Sequence, residues 1–376
     1  MNILYIAKNI PTPTRKANRV IFTLAEKLGE NFSIDFLYPK EIVPVFLKNH
    51  QKYRHLKSLS SWTYNSFKII TTSYLRLPIK NFEFLFLPLT FSVPQHSTNY
   101  QLVHAHYLLP DGFMAYQIFK KKGIPYLVTI RDTDIQLIKK IKENGHTSKN
   151  IKKILENASQ IIVLNSHARE IVLNRYGVQS KLIPSGIESK EILKQPPEYD
   201  EDKLIVTTVG SLIRRKQINW VINAFIQLHK EFSNIFLRII GEGPEFDKLN
   251  ILAEEAREAI EFTGQVPKPL VLDFLKESEI FLLPSIRETY GLVFNEAAAN
   301  HNAMIGLHLE GPCGTYEEDN EMLFAINFED FYQKLKLLIE NPRKRKSLAD
   351  NALKKVHNLT WENIIQKYHE LYKSAH

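Results

Sequence analysis

The sequence predicts an α/β protein with two doubly wound domains, on three observations. Short runs rich in Val, Ile and Leu alternate with amphipathic stretches, a pattern typical of parallel strands that helices cover on both faces. The alternation stops once, in the proline-rich and charged segment 183–203, and then restarts. The length of 376 residues suits two domains of about 100–200 residues each. In such folds ligands bind beyond the carboxyl ends of the strands, so we expect a cleft there between the domains.

The first half begins with an apolar run that reads as a strand, and further candidates follow it. The candidate strands are residues 3–7, 34–38, 67–71, 82–87, 102–106, 126–130 and 161–164. Apolar residues at helical spacing between several of them predict helices over residues 19–28, 113–122 and 167–175.

The second half repeats the alternation after the linker segment 183–203. Its candidate strands are residues 204–209, 236–240, 260–262, 280–283, 303–307 and 323–326. The predicted helices are residues 219–231, 245–257, 269–277 and 292–300, and then 328–340, 342–356 and 361–372 at the end of the chain.

The composition excludes several classes of protein. With 44% hydrophobic and 24% charged residues, the chain is neither disordered nor collagen-like nor a coiled coil. Its single cysteine excludes a disulfide scaffold and a cysteine-based zinc site. The most apolar run, residues 82–91, is much shorter than the roughly 20 residues of a spanning helix, and the N-terminus does not read as a signal peptide. We therefore expect a cytoplasmic protein.

Positive charge is concentrated in the first half. Residues 1–200 contain 28 basic and 15 acidic side chains, whereas residues 201–376 contain 21 and 26. Within residues 46–91, cations alternate with aromatic side chains, which fits peripheral contact with the anionic inner face of the cytoplasmic membrane. Stacking on single-stranded nucleic acid fits less well, and a lysine-rich surface over core aromatics needs no ligand. We expect no nucleic-acid partner.

Three loops of the second half follow predicted strands and would lie at one edge of a parallel sheet. The first, residues 209–216 (VGSLIRRK), offers three cations to a phosphate, with Lys216 as a point charge. The second, residues 240–244 (IGEGP), has two glycines that let a backbone approach a ligand closely. The third is residues 262–266 (FTGQV). Taken alone, each loop also fits an ordinary turn between a strand and a helix.

A fourth loop, within residues 283–298 (LPSIRETYGLVFNEAA), carries the most specific signal. The helix predicted to begin near Gly291 exposes backbone N–H groups, and the positive end of its dipole favours a diphosphate. Glu288 precedes this helix and Glu296 lies within it, so both can reach one ligand along the helix N-terminus. Their carboxylates can accept hydrogen bonds from sugar hydroxyls. A helix-terminal acid and a solvated helix face would explain the two glutamates without a ligand.

The order of these four motifs resembles the retaining glycosyltransferases of family 4, which have the GT-B fold. The resemblance rests above all on PSIRETYGLVFNEAAA after a strand, with seven residues between Glu288 and Glu296. It is strong over about residues 203–300 and fair to the C-terminus. It implies three parts of the chain: an N-terminal acceptor-binding domain over residues 1–185, a nucleotide-sugar donor domain over residues 186–358, and a C-terminal helix over residues 359–376 that packs back on the first domain.

The resemblance implies that the second half binds the donor. Lys216 would bind the donor diphosphate, Glu288 would hold hydroxyls of the transferred sugar, and Glu296 would bind the ribose. The other donor-binding positions that it implies are Ser211, Arg214, Arg215, Gly241, Gly243, Gly264, Gln265, Val266, Thr289, Tyr290, Gly291 and Leu292. We expect no cofactor and no metal, because the cations and the helix N-terminus would stabilise the diphosphate charge.

The N-terminal half matches the family more loosely. QLVHAHYLLPDG and the later GIPYLVTIRDTDI resemble strand–loop pairs that face the acceptor. This likeness places His106 and Arg131 with the catalytic groups, and Asp111 and Asp134 on the acceptor side. Arg131 stands where the family often has a histidine, so a permanent positive charge would replace a titratable one. Ser211 stands where many members have a phosphate-binding arginine, for which Arg214 or Arg215 would compensate.

Three other features admit more than one interpretation. Asp132 and Asp134 have the spacing of a metal-binding D-x-D motif, although a helix cap or a sugar contact is the commoner role. His104 and His106 alternate along a strand, and we expect them to face opposite sides, with His106 either at the cleft or in the core. Cys313 has no base partner that would make it a nucleophile.

These features together predict a retaining glycosyltransferase that moves a sugar from a nucleoside-diphosphate donor, with UDP favoured, to a saccharide or lipid-linked acceptor. Bacterial surface polysaccharide or glycolipid synthesis would be its setting. Among enzymes, a sugar phosphorylase or a nucleotide-sugar epimerase on the same fold is the alternative. A non-catalytic protein that binds a nucleotide-sugar or a membrane is the alternative from another class. The departures from the family at Arg131, Ser211, His301 and Ala303 motivate it.

Overall fold

The structure, a computed structural model, divides the chain into two compact units. It describes residues 1–13, 15, 17, 19–42, 60–80, 83–88, 100–200 and 202–375. Unit 1 contains Met1–Leu164, Ala168–Ile183 and Ile365–His376, and unit 2 contains Asn165–His167 and Pro184–Ile364. The main division therefore falls at Ile183, close to the boundary predicted at residue 185. The chain from Ile365 onward belongs to unit 1, within the segment for which the resemblance implied such a return.

Unit 1 is built on one sheet with a parallel centre. Its strands are β1 (Asn2–Ile6), β2 (Ser33–Glu41), β3 (Trp62–Tyr64), β4 (Phe67–Lys80), β5 (Glu83–Pro88), β6 (Leu102–Ala105), β7 (Tyr126–Ile130), β8 (Gln160–Val163) and β9 (Lys181–Leu182). Their order is β3-β4-β2-β1-β6-β7-β8-β9, and β5 also pairs with β4. From β4 to β9 in this order the neighbours run parallel. The prediction of a parallel sheet is wrong only at β3 and β5, which run antiparallel to β4.

The helices of unit 1 pack an apolar face on this sheet. They are α1 (Val20–Leu28), α2 (Phe113–Lys122), α3 (Asp132–Lys140), α4 (His146–Glu156) and α5 (Ser166–Tyr176). A further helix, α12 (Trp361–Ser374), ends in this unit. Isoleucines of α3 and α4 join the core with the central strands, and Gly123 ends α2 with φ +69°, a left-handed conformation that suits glycine.

Unit 2 contains a six-stranded sheet in which every neighbouring pair runs parallel. Its strands are β10 (Leu204–Val209), β11 (Ile235–Ile240), β12 (Ile260–Gly264), β13 (Ile280–Leu282), β14 (Ala303–Leu307) and β15 (Leu323–Ala325). Their order is β12-β11-β10-β13-β14-β15. The chain therefore builds outward from β10 in one direction, then crosses to β13 and builds outward in the other. This is the doubly wound topology that the sequence predicts.

The helices of unit 2 largely follow the predicted pattern. They are α6 (Ile218–His229), α7 (Phe246–Leu252), α8 (Lys268–Lys276), α9 (Leu292–Ala299), α10 (Phe328–Glu340), α11 (Pro342–Val356) and the start of α12. The helix predicted over 245–257 is shorter, because Ala256 leaves helical geometry and a 3₁₀ segment, Ala253–Ala259, follows α7. The side chains of Asn327 and Asn341 cap α10 and α11, each accepting a backbone N–H at 2.9 Å.

The basic and aromatic segment 46–91 is only partly described. Residues 43–59, 81–82 and 89–99 lie outside the described part of the chain. Within the described part, Phe67 and Tyr74 are buried in the core of unit 1. No helix among the described residues has both the length and the apolar character needed to cross a bilayer. Membrane contact through this segment stays a prediction.

Candidate functional site

The candidate site lies where the sheet of unit 2 reverses its strand order. Strands β10 and β13 are neighbours, but the chain leaves their carboxyl ends toward opposite sides of the sheet. A crevice forms at such a point, and ligands of doubly wound proteins bind there. The loop after β10 carries Lys216, and the loop after β13 carries Glu288. The expectation that these two loops meet at one sheet edge is confirmed.

The carboxylate of Glu288 is the centre of this site. Its Oε2 accepts a hydrogen bond from the ammonium of Lys216 and another, at 3.1 Å, from the hydroxyl of Ser285. A guanidinium nitrogen of Arg215 lies 3.6 Å from the same oxygen. The side chains of Lys216 and Glu288 are only 11% and 13% exposed, whereas Arg215 is 42% exposed. Two cations and a hydroxyl thus converge on one largely buried carboxylate.

The backbone of both loops explains how these side chains meet. Lys216 ends a 3₁₀ turn that begins at Arg214, and α6 follows directly. The N–H of Ile286 donates to the carbonyl of Arg215 at 2.8 Å, which joins the two loops. Gly291 then turns the chain into α9 with φ +76°, and a Cβ there would lie 2.8 Å from the ring of Phe294. Glycine is therefore required at the N-terminus of this helix.

Glu296 has a partner of its own. Its Oε1 lies 3.1 Å from Nζ of Lys268, at the start of α8, and Lys268 also lies 2.8 Å from Glu191. Burial raises the pKa of Glu296 above its ordinary value, and Lys268 opposes this shift. Glu288, before the N-terminus of α9, and Glu296, within α9, are therefore paired with different lysines.

The glycines of the second loop serve the packing of neighbouring loops. A Cβ on Gly241, whose φ is +142°, would lie 2.0 Å from the carbonyl oxygen of Gly210, and one on Gly243 would lie 2.3 Å from that of Leu212. The loops after β10 and β11 are thus in backbone contact. Gly264 has φ +71°, and Gln265 beside it donates its N–H to Glu242 at 3.4 Å. Val266 packs on the core of unit 2.

Other predicted donor residues lie in the same two loops or at the start of α9. Ser211 and Arg214 are exposed. Arg214 lines a cavity of about 560 Å³ between α6 and α7. Tyr290 is buried and donates to Asn295 at 2.8 Å, so its side chain supports the loop. Thr289 and Leu292 are half-buried, and the carbonyl of Thr289 accepts a hydrogen bond from Asn165 at 2.9 Å.

The predicted acceptor-side carboxylates of unit 1 are both buried. Asp134 accepts the N–H groups of Arg131 and Leu108, at 3.0 and 3.1 Å, so it caps α3. Burial raises the pKa of Asp134 to about 6. Asp111 accepts the N–H of Lys8 at 3.2 Å, and burial raises the pKa of Asp111 well above its ordinary range. Asp134 is thus a cap, one of the roles that the sequence left open, whereas Asp132 accepts a hydrogen bond from Gln136 at 3.3 Å.

His106 requires a correction. His104 and His106 lie on the same side of their strand, with ring centroids 4.2 Å apart, because residues two apart in a strand share a face. Both are fully buried, and the ring of His106 also packs against Tyr5. Burial lowers the pKa of His106 well below its ordinary value. His106 therefore lies in the core of unit 1, one of the two places that the sequence left open for it, and its catalytic role stays a prediction.

Arg131 directly follows β7, and its side chain contacts neighbouring residues of unit 1. Its Nε donates to the carbonyl of His106 at 3.2 Å, and its guanidinium carbon lies 5.6 Å from the centroid of the Tyr107 ring. The half-buried side chain is therefore held by unit 1. His301 lies 2.8 Å from Asp350 and packs beside Tyr199, which gives this departure from the family a structural role. Among the residues that the structure describes, no three His, Cys, Asp or Glu side chains are grouped to hold a metal.

The structure adds residues that the sequence pattern did not reveal. Ser285 lies within the fourth motif, and its position three residues before Glu288 was a usable signal. Lys8 follows β1 at the point where the sheet of unit 1 reverses its order, so the same rule of topology points to it. Glu310 contacts the backbone of Glu288 at 2.8 Å from a loop far along the chain, and no local pattern marks it.

Comparison with known proteins gives the chain its family. The model for glycosyl transferases group 1 matches residues 189–355, and that for glycosyltransferase family 4 matches residues 17–191. The putative teichuronic acid biosynthesis glycosyltransferase TuaC of Bacillus subtilis (strain 168) is 24% identical over 69% of this chain and 62% of its own length. The alpha-monoglucosyldiacylglycerol synthase of Acholeplasma laidlawii is 23% identical over 74% of this chain and 76% of its own length.

A solved structure supports the fold over the whole length. HepE from Anabaena, crystallised with UDP, aligns with a TM-score of 0.68 over 100% of both chains, at 13% identity. At this identity the likeness shows the fold alone, which is the two-domain GT-B fold. The two family models meet near residue 190 and together span residues 17–355. The chain therefore belongs to the group 1 glycosyltransferases, with an N-terminal half of the family 4 type.

Proposed function

We propose that this protein transfers a sugar from a nucleoside-diphosphate-sugar, preferably a UDP-sugar, to a saccharide or lipid-linked acceptor with retention of configuration. One observation carries the proposal. At the switch point of the unit 2 sheet, Lys216, Arg215 and Ser285 converge on Glu288 beside the N-terminus of α9. Cations and a helix N-terminus suit a diphosphate, and a carboxylate suits sugar hydroxyls.

Donor binding would exchange the partners of this ion pair. The diphosphate would take Lys216, and the released Glu288 would accept hydrogen bonds from hydroxyls of the sugar. As the bond between the sugar and the diphosphate breaks, negative charge grows on the leaving oxygen. Lys216, Arg215 and the N–H groups at the start of α9 would stabilise that charge without a metal.

Retention follows if the acceptor hydroxyl attacks from the face that the diphosphate leaves. The acceptor oxygen then bonds to the anomeric carbon, and the departing phosphate oxygen takes the acceptor proton. This route requires no protein base, and we assign none. It is consistent with the burial of His106, the one histidine that the sequence placed near the reacting groups.

The comparisons support a UDP-sugar as donor and a saccharide or lipid-linked molecule as acceptor. HepE of Anabaena was crystallised with UDP-glucose, and this supports a UDP-sugar as donor. The names of the two relatives refer to teichuronic acid and to a glucosylated diacylglycerol, which supports a surface polysaccharide or a glycolipid as product. A lipid-linked acceptor would bring a cytoplasmic protein to the inner membrane surface, where the basic segment 46–91 would contact anionic lipid.

A thermal-shift screen against UDP, GDP, ADP, dTDP, CMP and their sugar conjugates, with and without EDTA, tests donor binding. A ligand at about 100 times its dissociation constant stabilises the folded state by about 2.7 kcal/mol. We expect UDP and one UDP-sugar to raise the melting temperature equally with and without EDTA. A shift that EDTA abolishes would contradict the metal-free site, and no shift with any nucleotide would contradict the donor site.

A non-catalytic nucleotide-sugar-binding protein is the second candidate. The exposed Ser211, at a position where the family often has arginine, favours it. Both candidates predict nucleotide binding, and only the enzyme predicts turnover. Release of UDP from the bound UDP-sugar in the presence of membrane lipid or saccharide acceptors separates them.

A further inference from the structure

The loop after β14 holds the backbone of Glu288 at two points. The carboxylate Oε2 of Glu310 accepts the N–H of Glu288 at 2.8 Å. The N–H of the next residue, Gly311, donates to the carbonyl of Glu288 at 3.0 Å. Two consecutive residues of one loop therefore engage both polar backbone groups of Glu288, and neither belongs to the motif that contains it.

The loops after β13 and β14 both leave space for the side chain of Glu288. Gly291 and Gly311 flank it, and a Cβ built on either would lie 3.3 and 3.8 Å from its Cγ. Both glycines have positive φ, +76° and +57°. The methylene groups of Glu288 thus run beside two positions without side chains, toward Lys216 and Ser285.

The segment that carries Glu288 is strained. Arg287, directly before it, has φ +56°, which is unfavourable for a residue with a side chain. Such a conformation persists only where the surroundings over-determine it. Glu288, which forms hydrogen bonds with Glu310 and Gly311, immediately follows the strained residue, so these bonds are placed to hold it. Glu310 itself is half-buried.

We propose that Glu310 is a positioning residue that fixes Glu288 for the sugar of the donor. The inference rests on the proposed function in one respect, that the sugar replaces Lys216 as the partner of the Glu288 carboxylate. Once that exchange occurs, the ion pair no longer orients Glu288. The hydrogen bonds from the loop after β14 then hold its backbone in place.

Three substitutions of Glu310 separate a hydrogen bond from a charge. Glu310→Gln keeps an oxygen that can accept the N–H of Glu288 and removes the charge. Glu310→Asp keeps the charge and withdraws the acceptor by one methylene, and Glu310→Ala removes both. Glu318→Ala is the matched control, because Glu318 also accepts a backbone N–H, that of Phe324 at 2.9 Å, in the same connection between β14 and β15.

Amide hydrogen exchange of residues 284–291 is the readout that needs no donor. We expect faster exchange in the Ala and Asp variants, and exchange like that of the wild type in the Gln variant and in Glu318→Ala. Unchanged exchange in Glu310→Ala would overturn the proposal, whatever the activity of the protein. Because the Gln and Asp variants change little volume, they decide the question even if the Ala variant does not fold.

Steady-state kinetics with a UDP-sugar and its acceptor test the consequence. Misplacing a substrate-contacting group by about 1 Å costs up to about 100-fold in rate. We therefore expect kcat to fall about 10- to 100-fold in Glu310→Ala and Glu310→Asp, with UDP affinity nearly unchanged and kcat restored in Glu310→Gln. Equal losses of UDP affinity and kcat would indicate general loop damage and overturn the proposal. A wild-type protein that binds no nucleotide would instead contradict the proposed function, and hydrogen exchange would still decide the role of Glu310.

Discussion

Glu288 and Lys216 neutralise each other in the site, and this has a consequence for ligand binding. The pair is largely withdrawn from water, with side chains 11% and 13% exposed, so its attraction is stronger than that of a surface ion pair. A diphosphate that binds Lys216 must first displace Glu288. Glu288 would thus serve the sugar of the donor and at the same time compete with its phosphates.

We expect Glu288→Gln to bind UDP more tightly than the wild type, by a few-fold to about tenfold, because the amide no longer holds the ammonium of Lys216. Transfer from a UDP-sugar should nevertheless fall sharply, since the substitution removes the carboxylate that we propose accepts the sugar hydroxyls. Isothermal titration with UDP and a transfer assay on the same preparation measure the two effects. Weaker UDP binding in this variant would mean that Glu288 does not compete with the phosphates.

Lys216→Ala should change UDP affinity in the opposite direction. Removing a charged hydrogen bond of about 1.5–3 kcal/mol should weaken UDP binding about 10- to 150-fold. Lys276→Ala is a suitable control, because Lys276 is a surface lysine of unit 2 that lies 3.1 Å from Asp273. UDP affinity that is the same in Lys216→Ala and in this control would remove Lys216 from the donor site.

Two buried groups in unit 1 make the free energy of unfolding depend on pH in opposite directions. Burial lowers the pKa of His104 from 6.5 to about 3, so its contribution to stability is complete above pH 6.5 and is lost as the pH falls toward 3. Burial raises the pKa of Asp134 from 3.8 to about 6, so its contribution is complete below pH 3.8 and is lost as the pH rises through 6. Between these values the two trends partly cancel.

Asp134→Asn should remove one of these trends and expose the other. We expect the free energy of unfolding of the variant to fall more steeply than that of the wild type between pH 6 and pH 4, by about 2 kcal/mol over this range. Urea unfolding at several pH values measures the difference between the two proteins. Parallel pH profiles would show that Asp134 is not protonated in the folded state at pH 5.

At the scale of elements, the backbone contact between the loops after β10 and β11 fixes the shape of the proposed donor site. Gly241→Ala would place a methyl group 2.0 Å from the carbonyl oxygen of Gly210, so one of the two loops must move. We expect a loss of about 3 kcal/mol or more in the stability of unit 2. Gly123→Ala, where φ is +69° and no atom lies within 4 Å, should cost only about 1–2 kcal/mol. Melting temperatures of the two variants compare the effects, and equal losses would show that the clash is relieved without cost.

Elements and their order could be predicted because the signals are local. Short apolar runs located all six strands of the unit 2 sheet. The rule that parallel strands end at one sheet edge predicted that Lys216 and Glu288 lie close together. The antiparallel strands β3 and β5 were not predictable in the same way, since strand direction depends on pairing with β4. The contact of Glu310 with Glu288 spans 22 residues and depends on the packing of two loops, which no short pattern encodes.

The histidines show a different limit of sequence reasoning. A strand places His104 and His106 on one face, so their spacing was sufficient to predict that they lie together. Their burial was not evident, because the residues that cover them include Tyr372 of α12, far along the chain. A polar residue next to a predicted cleft is therefore weak evidence for catalysis until the elements that cover it are known.

At the scale of the whole molecule, the chain returns to its first unit at the very end. Residues from Ile365 belong to unit 1, although more than 180 residues of unit 2 precede them. Within unit 1 the hydroxyl of Tyr372 lies 2.7 Å from the hydroxyl of Tyr5 on β1 and 2.7 Å from Nδ1 of His104 on β6. All three side chains are fully buried. The last helix therefore completes a polar cluster in the core of unit 1.

Tyr372→Phe should consequently destabilise unit 1 and leave unit 2 intact. The substitution keeps the ring but leaves the buried Tyr5 hydroxyl and His104 nitrogen without this partner, at a cost of about 2–4 kcal/mol. Tyr332→Phe is the control, because that hydroxyl contacts Glu231 at 3.5 Å on the surface of unit 2 and should matter by less than about 0.5 kcal/mol. Proteolysis during urea unfolding, followed by mass spectrometry, shows which unit opens first. Because the residues of the proposed donor site belong to unit 2, we expect UDP binding to be unchanged in Tyr372→Phe below its unfolding transition. If the variant instead lost UDP affinity while unit 1 kept its stability, the last helix would act on the donor site and not on the core in which it is packed.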